Sequence, residues 1–228
     1  MKYQFRIRSI NPETTHGKVL SQVRPGSRVL ECGSAEGYMT EYLRNGMGCR
    51  VSVVEVDQEG FQKSMQYADD GYRGSLTEDG CWEHFRGKQF DCILFADVLE
   101  HLTDPMKAVR SARELLTDDG IMVISIPNVC HNDIIIRMLC DSFTYTSMGL
   151  LDNTHVHFWG FRDFMRFLKD AGMVMTKVDE QIMMTGTTEQ RVNLEGVDKS
   201  LLAVLRSHTL GEVYQFIVTC KKRGAGAG

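Results

Sequence analysis

A glycine-containing turn follows the first predicted strand. The run 31–38 (ECGSAEGY) places Gly33 and Gly37 between a β-branched segment and an amphipathic one. Glycines at such a turn let a ligand approach the backbone at the carboxyl end of a sheet strand. The run is not a P-loop, because no Gly-Lys-Ser/Thr follows, and Ala35 breaks the spacing of a dinucleotide-binding G-x-G-x-x-G. A tight turn without a ligand is the alternative interpretation.

An acidic residue ends the second predicted strand. Glu55 closes the apolar run 50–55, about 20 residues after the glycine turn. A carboxylate offers acceptors and no donor, so it suits the two hydroxyls of a ribose. Asp57 is the fallback for this role, and a solvated charge at a strand end is the alternative. Together with the glycine turn, Glu55 predicts a site for a cofactor that contains a nucleoside.

Short β-branched runs alternate with amphipathic segments around these residues. Strands are predicted at 27–32, 50–55, 90–95, 121–126, 173–179 and 214–220. Helices are predicted at 37–46, 59–70, 105–116, 161–171 and 197–206, with a turn at 118–120. This rhythm predicts an α/β fold with a parallel sheet covered by helices. Segments 128–158 and 182–195 interrupt it, and a connection as long as the first is usually functional.

The first two motifs resemble those of class I S-adenosylmethionine (SAM)-dependent methyltransferases. The matching runs are 29–38 and 53–57, with Ala35 at the middle glycine of the family loop E/D-x-G-x-G-x-G. A methyl group fits there if the φ angle of Ala35 is negative. The resemblance implies that SAM is the cofactor, that the loop lies against its amino-acid part, and that Glu55 holds its ribose. Ser75 falls where the family has an adenine-binding acid, so adenine recognition would rest partly on backbone and apolar contacts.

The resemblance implies a set of cofactor-binding residues drawn from the carboxyl ends of four strands. They are Glu31, Gly33, Ser34, Ala35, Gly37, Tyr38, Glu55, Val56, Gly74, Ser75, Leu76, Ala96, Asp97 and Val98.

Three further segments resemble one branch of that family. They are 95–105 (FADVLEHLTDP), 125–129 (SIPNV) and 150–158 (LLDNTHVHF), the last followed by Trp159 where the branch has phenylalanine. The branch is typified by bacterial methyltransferases found with glycosyltransferases and surface-polysaccharide enzymes. The resemblance covers about residues 16–175 and the last strand.

The branch resemblance implies a Rossmann-like, doubly wound, mostly parallel seven-stranded sheet with helices on both faces. Six strands would be parallel and a terminal strand at about 213–220 antiparallel. We expect an inserted lid at about 128–158, a single methyltransferase domain over 1–223, and a disordered tail at 224–228. The implied reaction is O-methylation of a sugar or glycan-linked small molecule, with a glycosyltransferase as partner or fused domain.

Two histidines are candidates for the base that would deprotonate an acceptor hydroxyl. A neutral imidazole suits this task near neutral pH. His101 follows the strand at 90–95, and His155 lies in the insertion beside Asp152, which can orient an imidazole. The structural alternatives are a helix cap for His101 and a loop anchor for His155, and His157 ranks below both. Aromatic residues of the insertion, such as Tyr145, suit either a sugar ring or a lid that excludes water.

Two other functions remain open at this point. One is a metal-dependent RNA ribose 2′-O-methyltransferase. The residues Asp97, Glu100, His101 and His157 resemble the metal ligands of such enzymes. The other is a non-catalytic cofactor-binding module of a larger glycan enzyme. We predict no bound metal, because a solvated Glu100 and an Asp97 that packs near the cofactor are the simpler interpretation.

Composition restricts the classes further. The chain has 228 residues, 26 basic against 30 acidic, for a net charge of −4. Since DNA- and RNA-binding domains usually carry a basic surface, nucleic acid is disfavoured as the main partner. No run approaches the ~20 apolar residues of a membrane span, and the N-terminus lacks the apolar stretch of a signal peptide. Seven scattered cysteines without a C-x-x-C predict free thiols and a cytoplasmic protein. Nothing in the sequence predicts the oligomeric state.

Overall fold

One seven-stranded sheet organises the chain, as the sequence predicts. The computed structural model describes residues 10–224. The strands are β1 Arg28–Cys32, β2 Arg50–Glu55, β3 Asp70–Arg73, β4 Phe90–Ala96, β5 Leu116–Pro127, β6 Met173–Ile182 and β7 Val213–Lys222. In spatial order they are β3, β2, β1, β4, β5, β7 and β6. Strands β1 to β5 are parallel, and β7 is antiparallel to both β5 and β6. The predicted arrangement of six parallel strands and one antiparallel strand is confirmed.

Helices cover both faces of this sheet. They are α1 Thr15–Ser21, α2 Tyr38–Glu41, α3 Gln58–Ser64, α4 Asp79–His84, α5 Pro105–Leu115, α6 Asn132–Leu139, α7 Phe161–Asp170 and α8 Lys199–Ser207. Side chains alternate across β1, so Leu30 joins a core with α4, α5 and α7, while Val29 joins one with α1 and α2. Within residues 10–224, no helix has the length and apolar character needed to cross a membrane.

Three sequence predictions differ locally from the structure. The helix expected at 59–70 ends at Ser64, and Asp70–Arg73 forms the edge strand β3. This strand has no apolar run because it pairs on one side only, and a side chain at Gly71 would collide with Met65, the residue that follows the preceding helix. The helix expected at 37–46 continues from α2 as a π-helical turn. The turn expected at 118–120 is an irregularity within β5, where the pairing with β4 shifts.

The insertion at 128–158 starts and ends at one point of the structure. Asn128 pairs with Trp159, so the two ends of the segment lie side by side. The insertion contains α6 and a small core of its own, formed by Ile134, Leu150 and Leu151. It is therefore a packed substructure attached to the carboxyl end of β5. Residues 225–228 of the predicted tail lie outside the described residues.

A buried carboxylate ties the insertion to the second irregular segment. Asp133, fully buried on α6, accepts hydrogen bonds from the backbone N–H of Gly186 (2.6 Å) and from the N–H and hydroxyl of Thr188 (3.3 and 2.6 Å). Hydrogen bonds to a charged group contribute more than neutral ones. Asp133 therefore fixes the segment 182–195 against the insertion.

We expect Asp133→Ala to lower the free energy of unfolding by roughly 2–4 kcal/mol, because three donors lose a buried acceptor. Urea unfolding measures the loss, and limited proteolysis should show new cleavage within 182–195. Asp118→Ala, at an exposed position of β5, is the control and should change stability by less than about 0.5 kcal/mol. Equal stability of the two variants would contradict the role of Asp133.

Candidate active site

The glycine turn crosses from the end of β1 to the neighbouring strand. The N–H groups of Gly33 and Ser34 both donate to the carbonyl of Val54 (2.8 and 3.3 Å), and the hydroxyl of Ser34 bonds that of Ser64 (2.8 Å). Gly37, which precedes α2, has φ +78°, and a Cβ there would lie 2.6 Å from the Cα of Ser64. The turn therefore requires glycine at this position, because α3 passes directly over it.

Ala35 adopts a conformation that the sequence analysis did not expect. Its φ is +47°, in the left-handed region, whereas we expected a negative angle for a residue with a methyl group. That conformation costs about 1–2 kcal/mol for a residue other than glycine. The N–H of Ala35 donates to Oε2 of Glu55 (2.7 Å), and its carbonyl lies against Gly60, where a Cβ would be 2.5 Å away. These two contacts hold the residue in its strained form.

Glu55 joins the turn to the second strand. Besides Ala35, its carboxylate accepts hydrogen bonds from the N–H groups of Val56 (2.8 Å) and Asp57 (2.9 Å), and the side chain is 8% exposed. The fallback residue Asp57 has another task, since its Oδ2 accepts from the N–H of Gly60 and caps α3 (2.8 Å). The structure thus separates an acid at the turn from an acid that stabilises a helix.

The residues after β3 lie next to Glu55. The N–H of Gly74 donates to the Glu55 carbonyl (3.0 Å), and the Ser75 hydroxyl bonds that of Thr77 (2.8 Å). Leu76 is buried, and its carbonyl accepts a hydrogen bond from the indole of Trp82 (2.9 Å). An apolar side chain and backbone groups are therefore present where we expected adenine contacts.

Glu31 is a buried acid behind the turn. It is 2% exposed and accepts a hydrogen bond from the Thr40 hydroxyl at 2.6 Å. Burial raises the pKa of Glu31 to about 8, the hydrogen bond from Thr40 opposes this, and the nearby charge of Glu55 adds to it. Glu31 is therefore mainly protonated at pH 7.

A polar network surrounds Asp97 at the end of β4. Asp97 has φ +54°, and its Oδ1 accepts from the Ser125 hydroxyl (2.6 Å) and from the Gln215 amide (3.1 Å). The Thr15 hydroxyl of α1 donates to the same Gln215. Ala96 pairs with Ser125 in the sheet. The predicted site residues did not include Ser125, Gln215 or Thr15, although Ser125 begins the motif 125–129, because no short-range signal connects residues 15, 97, 125 and 215.

His16 was also missed and lies beside the glycine turn. Its Nε2 is 2.7 Å from the hydroxyl of Tyr38, the first residue of α2, and the two rings meet edge to face. Burial lowers the pKa of His16, and the charge of Asp97 opposes that shift. On the other side of the turn, Val98 occupies the space that a side chain at Gly33 would need. Helix α1 therefore contributes to the walls of the predicted cofactor site.

The two candidate bases meet in space. Val156 and His157 of the insertion donate their N–H groups to the carbonyl of Glu100 (2.8 and 3.1 Å). These bonds bring His155 against His101, with ring centroids 4.8 Å apart and planes at 70°. The ring of His157 stacks on Trp159. The insertion therefore completes a histidine pair at the carboxyl end of β4.

A hydrogen-bonded chain orients His101. The Thr154 hydroxyl donates to Oδ1 of Asp152 (2.6 Å), so it accepts from Nδ1–H of His101 at 3.0 Å. This assignment leaves a lone pair on Nε2 of His101. Sequence reasoning paired Asp152 with His155, whereas the structure connects it to His101 through Thr154.

Glu100 is not solvated, contrary to expectation. It is 1% exposed, and its Oε2 has no hydrogen-bond partner within residues 10–224. Burial raises the pKa of Glu100 well above its usual range, and the charge of Asp97 adds to the shift. One potential ligand atom from each of Glu100, His101 and His155 lies within 4.8 Å of the others, so these three side chains can hold a metal ion.

An aromatic surface adjoins this cluster. The ring of Phe158 lies 6.0 Å from that of His155, 5.9 Å from Phe143 and 6.2 Å from Tyr145. Phe143 and Tyr145 are 41% and 52% exposed. The insertion therefore presents two partly exposed aromatic rings next to a potential base.

Comparison with known proteins identifies a family. Residues 13–178 match the methyltransferase domain family. The ubiquinone biosynthesis O-methyltransferase of Glaesserella parasuis serovar 5 (strain SH0165) is 28% identical over 110 residues, which are 45% of this chain and 46% of that protein. The enzyme of the same name from Xanthomonas campestris pv. campestris (strain B100) is 25% identical over 130 residues, 55% of this chain and 53% of that one. The chain spans about half the length of these curated relatives.

Solved structures share the fold over nearly the whole chain. N-methyltransferase NodS from Bradyrhizobium japonicum WM9, in complex with S-adenosyl-L-homocysteine, aligns with a TM-score of 0.55 at 16% identity, over 91% of this chain and 85% of that chain. A SAM-dependent methyltransferase from Archaeoglobus fulgidus aligns with a TM-score of 0.61 at 14% identity, over 90% of each chain. At these identities the likeness establishes the fold.

The buried Glu31 predicts a pH dependence of stability. Its pKa is about 8 in the folded protein against 4.5 in the unfolded chain. Below pH 4.5 Glu31 is protonated in both states and does not lower the free energy of unfolding. Between pH 4.5 and pH 8 the free energy of unfolding decreases, because the unfolded chain releases the proton while the folded protein keeps it. We expect the wild-type free energy of unfolding to fall by about 2–4 kcal/mol between pH 5 and pH 8 because of Glu31. This decrease should be absent in Glu31→Gln, whose side chain is neutral at every pH.

Urea unfolding of both proteins at several pH values measures this effect. Glu195→Gln, at an exposed carboxyl group, is the matched control and should follow the wild-type curve. Parallel curves for wild type and Glu31→Gln would show that Glu31 is ionised in the folded protein.

Proposed function

The chain belongs to the methyltransferase domain family and is a SAM-dependent methyltransferase, and from this premise we propose that it methylates a hydroxyl group of a sugar or glycan-linked small molecule. The observation that carries the proposal is the exposed aromatic surface of Phe143 and Tyr145 beside the histidine pair. Aromatic faces with a nearby hydroxyl suit a ring that bears polar groups. The name of the curated relatives, O-methyltransferase, supports oxygen as the methylated atom.

The residues at the carboxyl ends of β1 to β4 fit the cofactor. SAM supplies a methyl group on a positively charged sulfur. We propose that the turn from Gly33 to Tyr38, with Glu31 behind it, holds its amino-acid part, while Glu55 and Val56 hold the ribose. Gly74, Ser75 and Leu76 would hold the adenine with backbone and apolar contacts. The segment Ala96 to Val98 would close the site from the β4 side.

His101 is the proposed base, positioned by Thr154 and Asp152. Its Nε2 would take the proton of the acceptor hydroxyl, and SAM, when bound, would supply the methyl group to that oxygen and keep the electron pair of the carbon–sulfur bond on its sulfur. His155 holds the edge of the His101 ring by contact. Fixing the acceptor oxygen in line, about 3–3.5 Å from the methyl carbon, can supply roughly 7–11 kcal/mol of the barrier.

Two residues argue against RNA as the acceptor. Asp97 and His157 belong to the four residues that would hold the metal of an RNA methyltransferase. In this structure Asp97 is hydrogen-bonded to Ser125 and Gln215, and the ring of His157 stacks on Trp159. The net charge of −4 points the same way. The hypothesis that the chain is a non-catalytic module is wrong, because the matched family and the curated relatives are methyltransferases.

We place the reaction in the cytoplasm, which the seven free cysteines support. A glycosyltransferase acts as partner or fused domain, as the branch resemblance implies, and residues 1–223 act as a single domain.

The Glu55 assignment predicts a loss of cofactor affinity. We expect Glu55→Ala to raise the Kd for SAM about 10- to 150-fold, because charge-assisted hydrogen bonds contribute roughly 1.5–3 kcal/mol. Calorimetry measures the Kd. Asp57→Ala removes a helix cap, so it should lower stability by about 1 kcal/mol and leave the Kd unchanged. An affinity loss for Asp57→Ala alone would move the ribose contact to Asp57.

The base assignment predicts a kcat effect. Methyl transfer from labelled SAM to a panel of methyl glycosides and nucleotide sugars, in a buffer that contains EDTA, tests the function itself. With an accepted sugar, His101→Ala should lower kcat about 10²–10⁴-fold and leave the Kd for SAM unchanged. His157→Ala is the control and should keep the wild-type kcat. If only phenols, or no sugars, are methylated, the sugar assignment is wrong.

A further inference from the structure

We propose that Asp97 makes the site selective for the methylated form of the cofactor: its carboxylate stabilises the positively charged sulfur of SAM, which the product S-adenosyl-L-homocysteine (SAH) lacks. Asp97 directly follows β4, which is the neighbour of β1 in the sheet. The next residue, Val98, occupies the space beside Gly33 of the glycine turn. The carboxylate is therefore attached to the crevice between the ends of β1 and β4, where open α/β sheets bind ligands.

The two carboxylate oxygens of Asp97 have different surroundings. Oδ1 accepts hydrogen bonds from the Ser125 hydroxyl (2.6 Å) and from the Gln215 amide (3.1 Å). Oδ2 makes no hydrogen bond with any described residue, and no lysine or arginine of residues 10–224 forms an ion pair with this carboxylate. Because Asp97 is half-buried, water screens its negative charge only in part. A positively charged ligand can therefore be stabilised here.

The charge of Asp97 acts on both ends of the proposed cleft. It acts on His16, which lies beside Tyr38 at the glycine turn, and on Glu100 and His155 at the acceptor end. The next step rests on the proposed function, in which the turn holds the amino-acid part of SAM and the acceptor approaches its methyl group. Since the sulfur is bonded to both of these parts, it belongs between the two ends, and Asp97 acts on both.

Contacts on three sides fix the carboxylate without the cofactor. The N–H of Asp97 donates to the Ser125 hydroxyl (3.0 Å), and the same hydroxyl donates to Oδ1, so backbone and side chain are both tied to β5. Gln215 of β7 holds Oδ1 from another side and is itself bonded to Thr15 of α1. The φ of +54° at Asp97 is strained, and such a conformation persists where its surroundings outweigh it. The charge is therefore positioned before a ligand binds.

A fixed carboxylate at this position affects the two forms of the cofactor differently. The sulfur of SAM carries a positive charge, and the sulfur of SAH is neutral. Attraction to Asp97 therefore stabilises bound SAM and gives nothing to SAH, whereas contacts to the ribose, the adenine and the amino-acid part are common to both. The carboxylate thus favours binding of the methyl donor and release of the product.

The test is calorimetric binding of three ligands to the purified chain, without an acceptor. They are SAM, SAH and sinefungin, an analogue in which a carbon with a protonated amine replaces the methylated sulfur. Asp97→Asn keeps an oxygen for Ser125 and Gln215, and asparagine tolerates a positive φ, so the variant removes the charge alone. We expect the Kd for SAM and for sinefungin to rise about 5- to 50-fold, and the Kd for SAH to change less than about twofold.

Asp118→Asn, which removes one exposed negative charge from β5, is the matched control and should keep all three wild-type Kd values. Retained affinity for SAH shows that Asp97→Asn is folded. The inference is wrong if Asp97→Asn weakens all three ligands equally, if it weakens none, or if it weakens SAM alone, which would indicate a contact with the methyl group. These results would leave the proposed cofactor placement intact as long as Glu55→Ala weakens every ligand; if Glu55→Ala weakens none, that placement fails as well.

Discussion

The carboxylate of Glu55 is the interaction on which the candidate site depends at the ends of β1 and β2. It collects the N–H groups of Ala35, Val56 and Asp57, and so connects the turn after β1 to the end of β2. Without this acceptor, three backbone donors would need other partners, and Ala35 would lose the bond that holds its left-handed conformation. The residue expected to bind ribose therefore also shapes the turn that faces the ligand.

At the acceptor end, a backbone carbonyl has the corresponding role. The carbonyl of Glu100 receives two N–H groups from the insertion, and through them His155 reaches His101. The insertion is held from its other side by Asp133 and by its own apolar core. The histidine pair is thus positioned by a packed substructure with its own anchors, which suits a site that must hold an acceptor in line with the methyl group.

Much of the fold, and the closeness of the glycine turn to Glu55 in the candidate site, could be predicted from the sequence, because their signals are local. Strand β2 is a continuous apolar run, and the glycine turn adjoins it in space through Val54. Strand β3 was hidden because an edge strand needs no apolar run. His16 and Gln215 were hidden for another reason: they come from opposite ends of the chain and approach Tyr38 and Asp97 only in the folded sheet.

Two of the four non-glycine residues with a positive φ angle among the described residues lie where the strand order of the sheet reverses, and the other two, Asp141 and Arg191, lie in the insertion and in the segment 182–195. Ala35 (φ +47°) follows β1 and Asp97 (φ +54°) follows β4. These two parallel strands are neighbours in the sheet, and the next strand in the chain lies on one side of the pair after β1 and on the other side after β4. Each of these two residues is held by a hydrogen bond from its N–H to a side chain, Glu55 for one and Ser125 for the other. Strain persists where surrounding contacts outweigh it, and such positions cluster at functional sites. Since open α/β sheets bind ligands at this crevice, the strain at Ala35 and Asp97 lies where the topology alone would place a ligand site.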